Sequence, residues 1–238
     1  MEARRRPAAT PIEPPPTRFL FPDPRRARGR EGVIATGGDF EPGTLLAAYR
    51  AGIFPWPMNE LLVPWCSPNP RAIFPLEDEP HWSRSLRRSL RRKPFDVTVD
   101  EAFDEVIASC GDTRDSTWIL PELERGYVEL HALGWAHSVE VWNRDSGELV
   151  GGIYGVAIGG AFAGESMFHT ETDASKVAFA HLVHHLRDRG FVLFDVQVQN
   201  DHLESLGCVE IPRTEYLDRL AEAHTRTPTW LAPAKPTR

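Results

Sequence analysis

The run LVGGIYGVAIGGAFAGESMF, residues 149–168, constrains the fold more than any other part of the chain. Its apolar, β-branched and aromatic residues read as strand, with a reversal near Gly159 and Gly160. Just upstream, HSVEVWNR (137–144) is a further strand, and DSGE (145–148) between the two reads as a hairpin turn. An antiparallel meander is therefore expected here. Its end raises a chemical question. Glu165 stands between Gly164 and Ser166, with Phe162, Met167 and Phe168 around it. A solvated loop would be more polar, and a plain core strand would not tolerate the charge. The carboxylate must face something.

Helical periodicity surrounds the meander. Asp100 is expected to cap a helix with Phe103, Val106, Ile107 and Cys110 inward and Gly111 closing it. Pro121 opens another, with Leu123, Tyr127 and Leu130 inward and Gly134 as its stop. A long helix is expected over 173–189, with Phe179, Leu182, Val183 and Leu186 on one face, Arg187 and Arg189 near its end and Gly190 beyond it. FVLFDVQV (191–198) reads as a buried strand, and a final short helix and strand follow. Ahead of all this, residues 1–16 are Pro-rich and expected to be disordered. Residues 17–70, rich in Pro and Gly, form a small N-terminal α/β domain with one helix between Pro42 and Gly52. Residues 71–238 form the larger domain, its last residues a loose tail. The class is α+β, and the larger mixed-sheet domain resembles the acetyltransferase-like (GNAT) architecture, in which a splayed sheet holds an acyl donor.

Composition removes several classes. Hydrophobic residues at 41% and charged residues at 26% suit a soluble globular protein, expected in the cytoplasm, and no apolar run approaches a membrane span. The N-terminal arginines are not followed by an apolar segment, so no secretory signal is expected. Cys66, Cys110 and Cys208 lack CxxC spacing, which argues against a disulfide framework or structural zinc. The net charge is −7, but RSLRRSLRRK (84–93) carries Arg84, Arg87, Arg88, Arg91, Arg92 and Lys93 with no acid among them. Trp82, Leu86 and Leu90 form the apolar stripe of that helix, so its outer face is a local anion site or a solvated basic face.

Familiar catalytic signatures are missing: there is no GxSxG elbow, HExxH, P-loop or GxGxxG after a strand. His181 and His185 are spaced i, i+4, but without a supporting third ligand they read as exposed helix residues, and no metal is expected. His169 and His202 are each either a general base or a hydrogen-bonded loop residue. An acetyltransferase-type coenzyme A loop would need glycines where MFHTETDASK (167–176) has none, so no cofactor is expected.

GIFPW (52–56), WCSPNPR (65–71), TWI (117–119), AHSVEVW (136–142), LVGGIYGVAIG (149–159), GESMF (164–168), ASK (174–176), FDVQ (194–197) and NDHLESLG (200–207) occur collinearly. In that combination the chain resembles the leucyl/phenylalanyl-tRNA–protein transferase family from about residue 18 to 220. The resemblance implies transfer of Leu, Phe or Met from aminoacyl-tRNA to the N-terminal Arg or Lys of a protein, in N-end rule degradation, by an enzyme expected to be a monomer. It implies Asp195 and Gln197 as the catalytic pair, with Gln197 accepting a hydrogen bond from the attacking amine and Asp195 polarising it. Both are expected on one strand face. Val196 stands between them where the family usually has Cys. Glu165 would meet the cationic acceptor. Phe162, Met167 and Ile153 would line the donor pocket, with Ser166 and Asn200 also binding substrate; Ile153 stands where the family often has Met. Trp56 and Trp118 would stack on the terminal adenosine, and the basic helix would hold tRNA phosphates. Two other readings stay open: a non-catalytic RNA-binding module, and a different amide-forming enzyme that uses aminoacyl-tRNA.

Overall fold

The computed structural model describes residues 6–57, 63–92, 94–112 and 120–231. The N-terminal part contains β1 (Val33–Thr36), α1 (Pro42–Arg50), β2 (Phe54–Pro55) and β3 (Pro64–Cys66), with the strands ordered β1-β3-β2 in a small sheet. Pro42 opens α1, where a missing N–H costs nothing, and Gly52 follows it with φ +75°. Then come β4 (Arg71–Phe74), α2 (Arg84–Arg92), β5 (Phe95–Val99), α3 (Phe103–Asp112), α4 (Pro121–Ala132), β6 (Ala136–Asn143), β7 (Leu149–Ile158) and β8 (Ala161–His169). The chain continues through α5 (Ala174–Arg189), β9 (Leu193–Gln197), α6 (Asp201–Leu206), β10 (Val209–Ile211) and α7 (Arg213–Ala223). A seven-stranded sheet runs β10-β4-β9-β8-β7-β6-β5. Among the described residues β8 and β9 pair in parallel and the other neighbours antiparallel, so the sheet is mixed and the class α+β.

The sheet is buried on both faces, which is why β7 reads as a continuous apolar run. On one face α5 presses Phe179, Leu182 and Leu186 against Phe162, Ile153 and Phe194. On the other, α1, α3 and α4 bring Leu45, Tyr49, Phe103, Val106 and Tyr127 against Tyr154 and Val156. Helix α7, which the sequence patterns did not separate from the preceding strand, covers Ile73 with Tyr216 and Leu220.

Two irregularities shape the middle of the sheet. In the β7–β8 ladder Tyr154 pairs with Ser166 and Gly155 with Gly164, so Glu165 has no partner and is bulged. Gly155 is required opposite it, since a Cβ there would lie 2.1 Å from the Ala163 carbonyl oxygen. In the β4–β9 ladder Ala72 pairs with Gln197 and Ile73 with Asp195, leaving Val196 bulged. The parallel β8–β9 pairing runs only from Ala161↔Leu193 to Ala163↔Asp195. Beyond it the two strands part, each with a bulge beside the opening.

Several expectations are corrected. The Pro-rich segment is not disordered from residue 6 onward: Ala8 and Ile12 donate backbone hydrogen bonds to the end of α4, and Arg50 pairs with Glu13. Trp230, placed in a loose tail, is buried and stacks on Phe162 and His137, because a large indole gains more from that slot than from solvent. His185 is half-buried against Trp230, whereas exposure was expected. Asp100 does not cap α3; its carboxylate takes the backbone N–H of Ser138 and the ring of His137.

Candidate active site

Where β8 and β9 diverge, a cleft of about 450 Å³ opens. Its apolar wall is Ile153, Met167, Phe179, Phe194, Val196 and Leu203. Phe54 and Trp56, from the strand after α1, form the opposite rim, and Glu165, Ser166, Gln197 and Asn200 supply polar groups. The structure thus brings together Trp56, Ile153, Glu165, Ser166, Met167, Gln197 and Asn200 of the residues singled out in the sequence.

Glu165 is the carboxylate of the cleft wall. A bulge sets two successive side chains on one side of a strand, so Glu165 leaves the ladder and reaches inward. Tyr127 of α4 donates to its Oε2 at 2.8 Å, and Gln197 Nε2 donates to its Oε1 at 2.7 Å. The Tyr127 hydroxyl lies 2.5 Å from that of Tyr49 on α1. Burial drives the Glu165 carboxyl up to about 7; hydrogen bonds from Tyr127 and Tyr49 oppose the rise, the charge of Asp195 adds to it, and Arg71 offsets it.

Asp195 behaves differently. Its side chain is buried and does not line the cleft. Oδ1 accepts from Arg71 Nε at 2.8 Å and from the Gln197 backbone N–H at 2.9 Å; Oδ2 accepts from Arg71 Nη2 at 2.6 Å and from the Tyr216 hydroxyl at 2.9 Å. Gln197 has φ +65°, so the expected strand alternation ends at it. Asp195 meets Gln197 through the Gln197 backbone N–H, and the Gln197 side chain turns to Glu165.

Phe162 does not line the cleft. It packs behind it, stacked on Trp230 at 5.2 Å and edge-on to Phe194. Its place in the wall is taken by Phe179 and Phe194, which the sequence offered only as core or strand, and by Val196, which stood out only as the residue found where the family usually has Cys. Asn200 sits at the rim, and its side chain also caps α6 by accepting from Leu203 N. The Ser166 hydroxyl is buried without a hydrogen-bond partner. His169 and His202 both line the cleft, and Ser175 lies 3.2 Å from His169 Nδ1. Burial lowers the pKa of His202, helped by the charges of Lys176 and His169.

Trp82 and Leu86 bury the inner face of α2, while Arg84, Arg87, Arg88 and Arg91 are exposed. The Arg92 side chain, Lys93 and Trp118 lie outside the described residues. Among the described residues Asp100, His131 and His137 form a buried group of metal-ligand types, but its ring nitrogens are engaged, His137 Nδ1 with Asp100 and His131 Nδ1 with the Ala136 carbonyl. No helix among the described residues is long and apolar enough to cross a membrane.

A cleft that opens between parting strands, with an apolar pocket next to hydrogen-bonded polar groups, suits two reactants held side by side. That is the arrangement a group-transfer enzyme needs. Residues 73–221 match leucyl/phenylalanyl-tRNA protein transferase, and residues 38–69 match the N-terminal domain of that family; the chain belongs to it. The leucyl/phenylalanyl-tRNA–protein transferase of Syntrophobacter fumaroxidans is 51% identical over 209 residues, covering 86% of this chain and 87% of that one. The enzyme of the same name from Pseudoalteromonas atlantica is 49% identical over 213 residues, covering 88% and 87%. Among solved structures, L-PGS from Bacillus licheniformis aligns at TM-score 0.40 and 15% identity, over 57% of this chain and 49% of that one, a likeness too loose to bear on the site. The chain is an aminoacyltransferase that moves leucine or phenylalanine from aminoacyl-tRNA to the N-terminal residue of a protein.

Proposed function

We propose that the cleft binds the aminoacyl-adenosine end of the charged tRNA and the N-terminus of the acceptor together, and that the larger domain is a GNAT-like fold using the parting of β8 and β9 for this. The donor side chain, Leu, Phe or Met, lies against Ile153, Met167, Phe179, Phe194 and Val196. Met is adaptable and aromatic walls accept several shapes, so donors of similar size are admitted together. Trp56, 41% exposed at the rim, offers its face to the terminal base. The exposed arginines of α2 meet tRNA phosphates.

The acceptor is a protein beginning with Arg or Lys, whose end carries two positive charges. It lies at Glu165, the carboxylate of the wall. The ester is activated already and the α-amine has an ordinary pKa of about 7.7–8.0, so the enzyme needs alignment and a place for a proton. The Gln197 carbonyl accepts a hydrogen bond from the amine and aims it at the ester. The cleft is assembled within one chain, which suits a monomer working in the cytoplasm, where charged tRNA is made.

The observation that carries this reading is the 2.7 Å hydrogen bond between Gln197 and Glu165 across the opening between the strands. The test is transfer of labelled Leu, Phe and Met from their tRNAs to Arg-, Lys- and Ala-ended peptides. Products confined to the Arg- and Lys-ended peptides support it. Equal transfer to the Ala-ended peptide would remove the role of Glu165 in acceptor choice.

A further inference from the structure

We infer that Glu165 is the group that takes the proton lost by the acceptor's α-ammonium, and that Asp195 is a positioning residue. The inference rests on the reading just given, that the acceptor N-terminus lies at Glu165.

The argument begins by elimination among the three polar residues. Asp195 is 1% exposed, and its two oxygens already accept four donors, two from Arg71 and one each from Tyr216 and Gln197. It lines no part of the cleft. Gln197 is a neutral amide and holds no extra proton near neutrality. Because its Nε2 is committed to Glu165, its carbonyl oxygen is the end left for an amine. Glu165 lines the cleft, and a carboxylate with its two oxygens keeps acceptor capacity beyond the donors from Gln197 and the two tyrosines.

The surroundings of Glu165 suit a proton acceptor. Tyr49 of α1, Tyr127 of α4, Asp195 and Gln197 of β9 and Arg71 of β4 face it, Tyr154 of β7 packs against the Tyr127 ring, and His169 and His202 line the same cleft. Burial, opposed by the tyrosines, leaves its carboxyl at about 7. That is within about a unit of an α-ammonium, so transfer between them is nearly balanced in both directions. A carboxylate at an ordinary value would hold the proton too weakly.

The protons and bonds then close. The α-ammonium carries three protons. One passes to the Glu165 carboxylate, freeing the nitrogen lone pair. The nitrogen attacks the ester carbonyl carbon, the new N–C bond forms, and the bond from that carbon to the ribose oxygen breaks. A second proton goes from nitrogen to the leaving ribose oxygen, and the third stays on the new amide. Glu165 releases its proton to water after the products leave.

The experiment is the pH dependence of kcat/KM for Leu transfer to an Arg-ended peptide, from about pH 5.5 to 9.5, with the full chain. Glu165→Gln should lose on the order of 10-fold more near pH 6.5 than at about pH 9.5, where the amine is already its free base and only the lost pairing with the acceptor's cationic side chain remains. Tyr127→Phe removes a hydrogen bond to the charged carboxylate without touching substrate, so the acid limb should move upward by roughly half a unit to one unit. An equal loss for Glu165→Gln at both ends of the range, with the Tyr127→Phe limb unmoved, would overturn the proton-acceptor role while leaving Glu165 as the acceptor's charge partner. No loss for Glu165→Gln at any pH would sink both.

Discussion

The backbone N–H of Gln197 donates to Oδ1 of Asp195 at 2.9 Å, and the residue so held has φ +65°. A non-glycine residue in the left-handed region costs on the order of 1 kcal/mol and persists only when its surroundings hold it. Here the restraint is the ion pair of Asp195 with Arg71, both buried. The Arg71 guanidinium also lies 4.8 Å from the centre of the Phe54 ring and 4.4 Å from that of Tyr216, and it donates to the Gly52 carbonyl. Three separate sequence motifs, GIFPW, WCSPNPR and FDVQ, therefore converge on one buried guanidinium behind the cleft.

Removing Asp195 should consequently unsettle the fold before it alters the chemistry. Asp195→Ala leaves the Arg71 charge buried and unpaired, at a cost of about 3–5 kcal/mol. Gln197→Ala removes a side chain at the cleft wall and should change stability far less while lowering turnover. Denaturant unfolding of the two variants checks this. An Asp195→Ala protein as stable as its parent, impaired only in turnover, would return Asp195 to a direct part in the reaction.

Much of this arrangement was legible in the sequence. The meander, its turns, α1, α4 and α5 follow from periodicity and from glycines placed where φ must be positive. The lone acid in FAGESMFH was rightly out of place for a core strand. The bulges were not legible, because one extra residue in a ladder leaves no mark on local composition. Without them, period-two reasoning put Asp195 and Gln197 on one strand face, and the resemblance put Phe162 in the donor pocket. Arg71, Tyr49 and Tyr127 were also missed as a network. An inward tyrosine reads as core from sequence, and only tertiary packing shows that its hydroxyl meets a carboxylate from 38 residues further along the chain.

Trp56 offers a test of the donor end. It is 41% exposed, and its ring sits 5.9 Å from that of Phe54 in a tilted arrangement. Trp56→Ala should leave stability within about 1 kcal/mol of the parent. Binding of the aminoacyl-adenosine end should weaken by about 1–3 kcal/mol if a base stacks there. Inhibition by puromycin, an aminoacyl-nucleoside analogue, reports it directly; an unchanged inhibition constant would remove Trp56 from the donor site.

For α2 the expected signature is salt dependence. Replacing Arg84, Arg87, Arg88 and Arg91 with Ala leaves the buried Trp82 and Leu86 contacts in place. Each lost phosphate contact removes released counterions, so the slope of log affinity for whole tRNA against log salt should flatten. Affinity for a minimal aminoacyl-adenosine donor should be unaffected. A slope identical to the parent's would make this helix merely a solvated face.

The carboxyl of Glu165 should also be visible in stability, with a sign opposite to its use in the reaction. Its ordinary value is 4.5 and its folded value about 7, so the folded state binds the proton more tightly than the unfolded state. Below pH 4.5 both states are protonated and the shift costs nothing. Between 4.5 and 7 the unfolded chain ionises first, so stability falls as pH rises, and above 7 the whole cost is present. With the group partly open to the cleft, that cost is about 1–3 kcal/mol. Glu165→Gln abolishes the titration while keeping the shape. The variant should therefore melt a few degrees higher than the parent above pH 7, with the gap closing toward pH 4.5. His185, whose pKa burial lowers to about 4, destabilises the fold in acid in both proteins and cancels in the comparison. Paired thermal melts across this range measure the gap. A gap that is constant with pH, or a variant less stable above pH 7, would mean that the folded protein does not strain this carboxylate toward its neutral form.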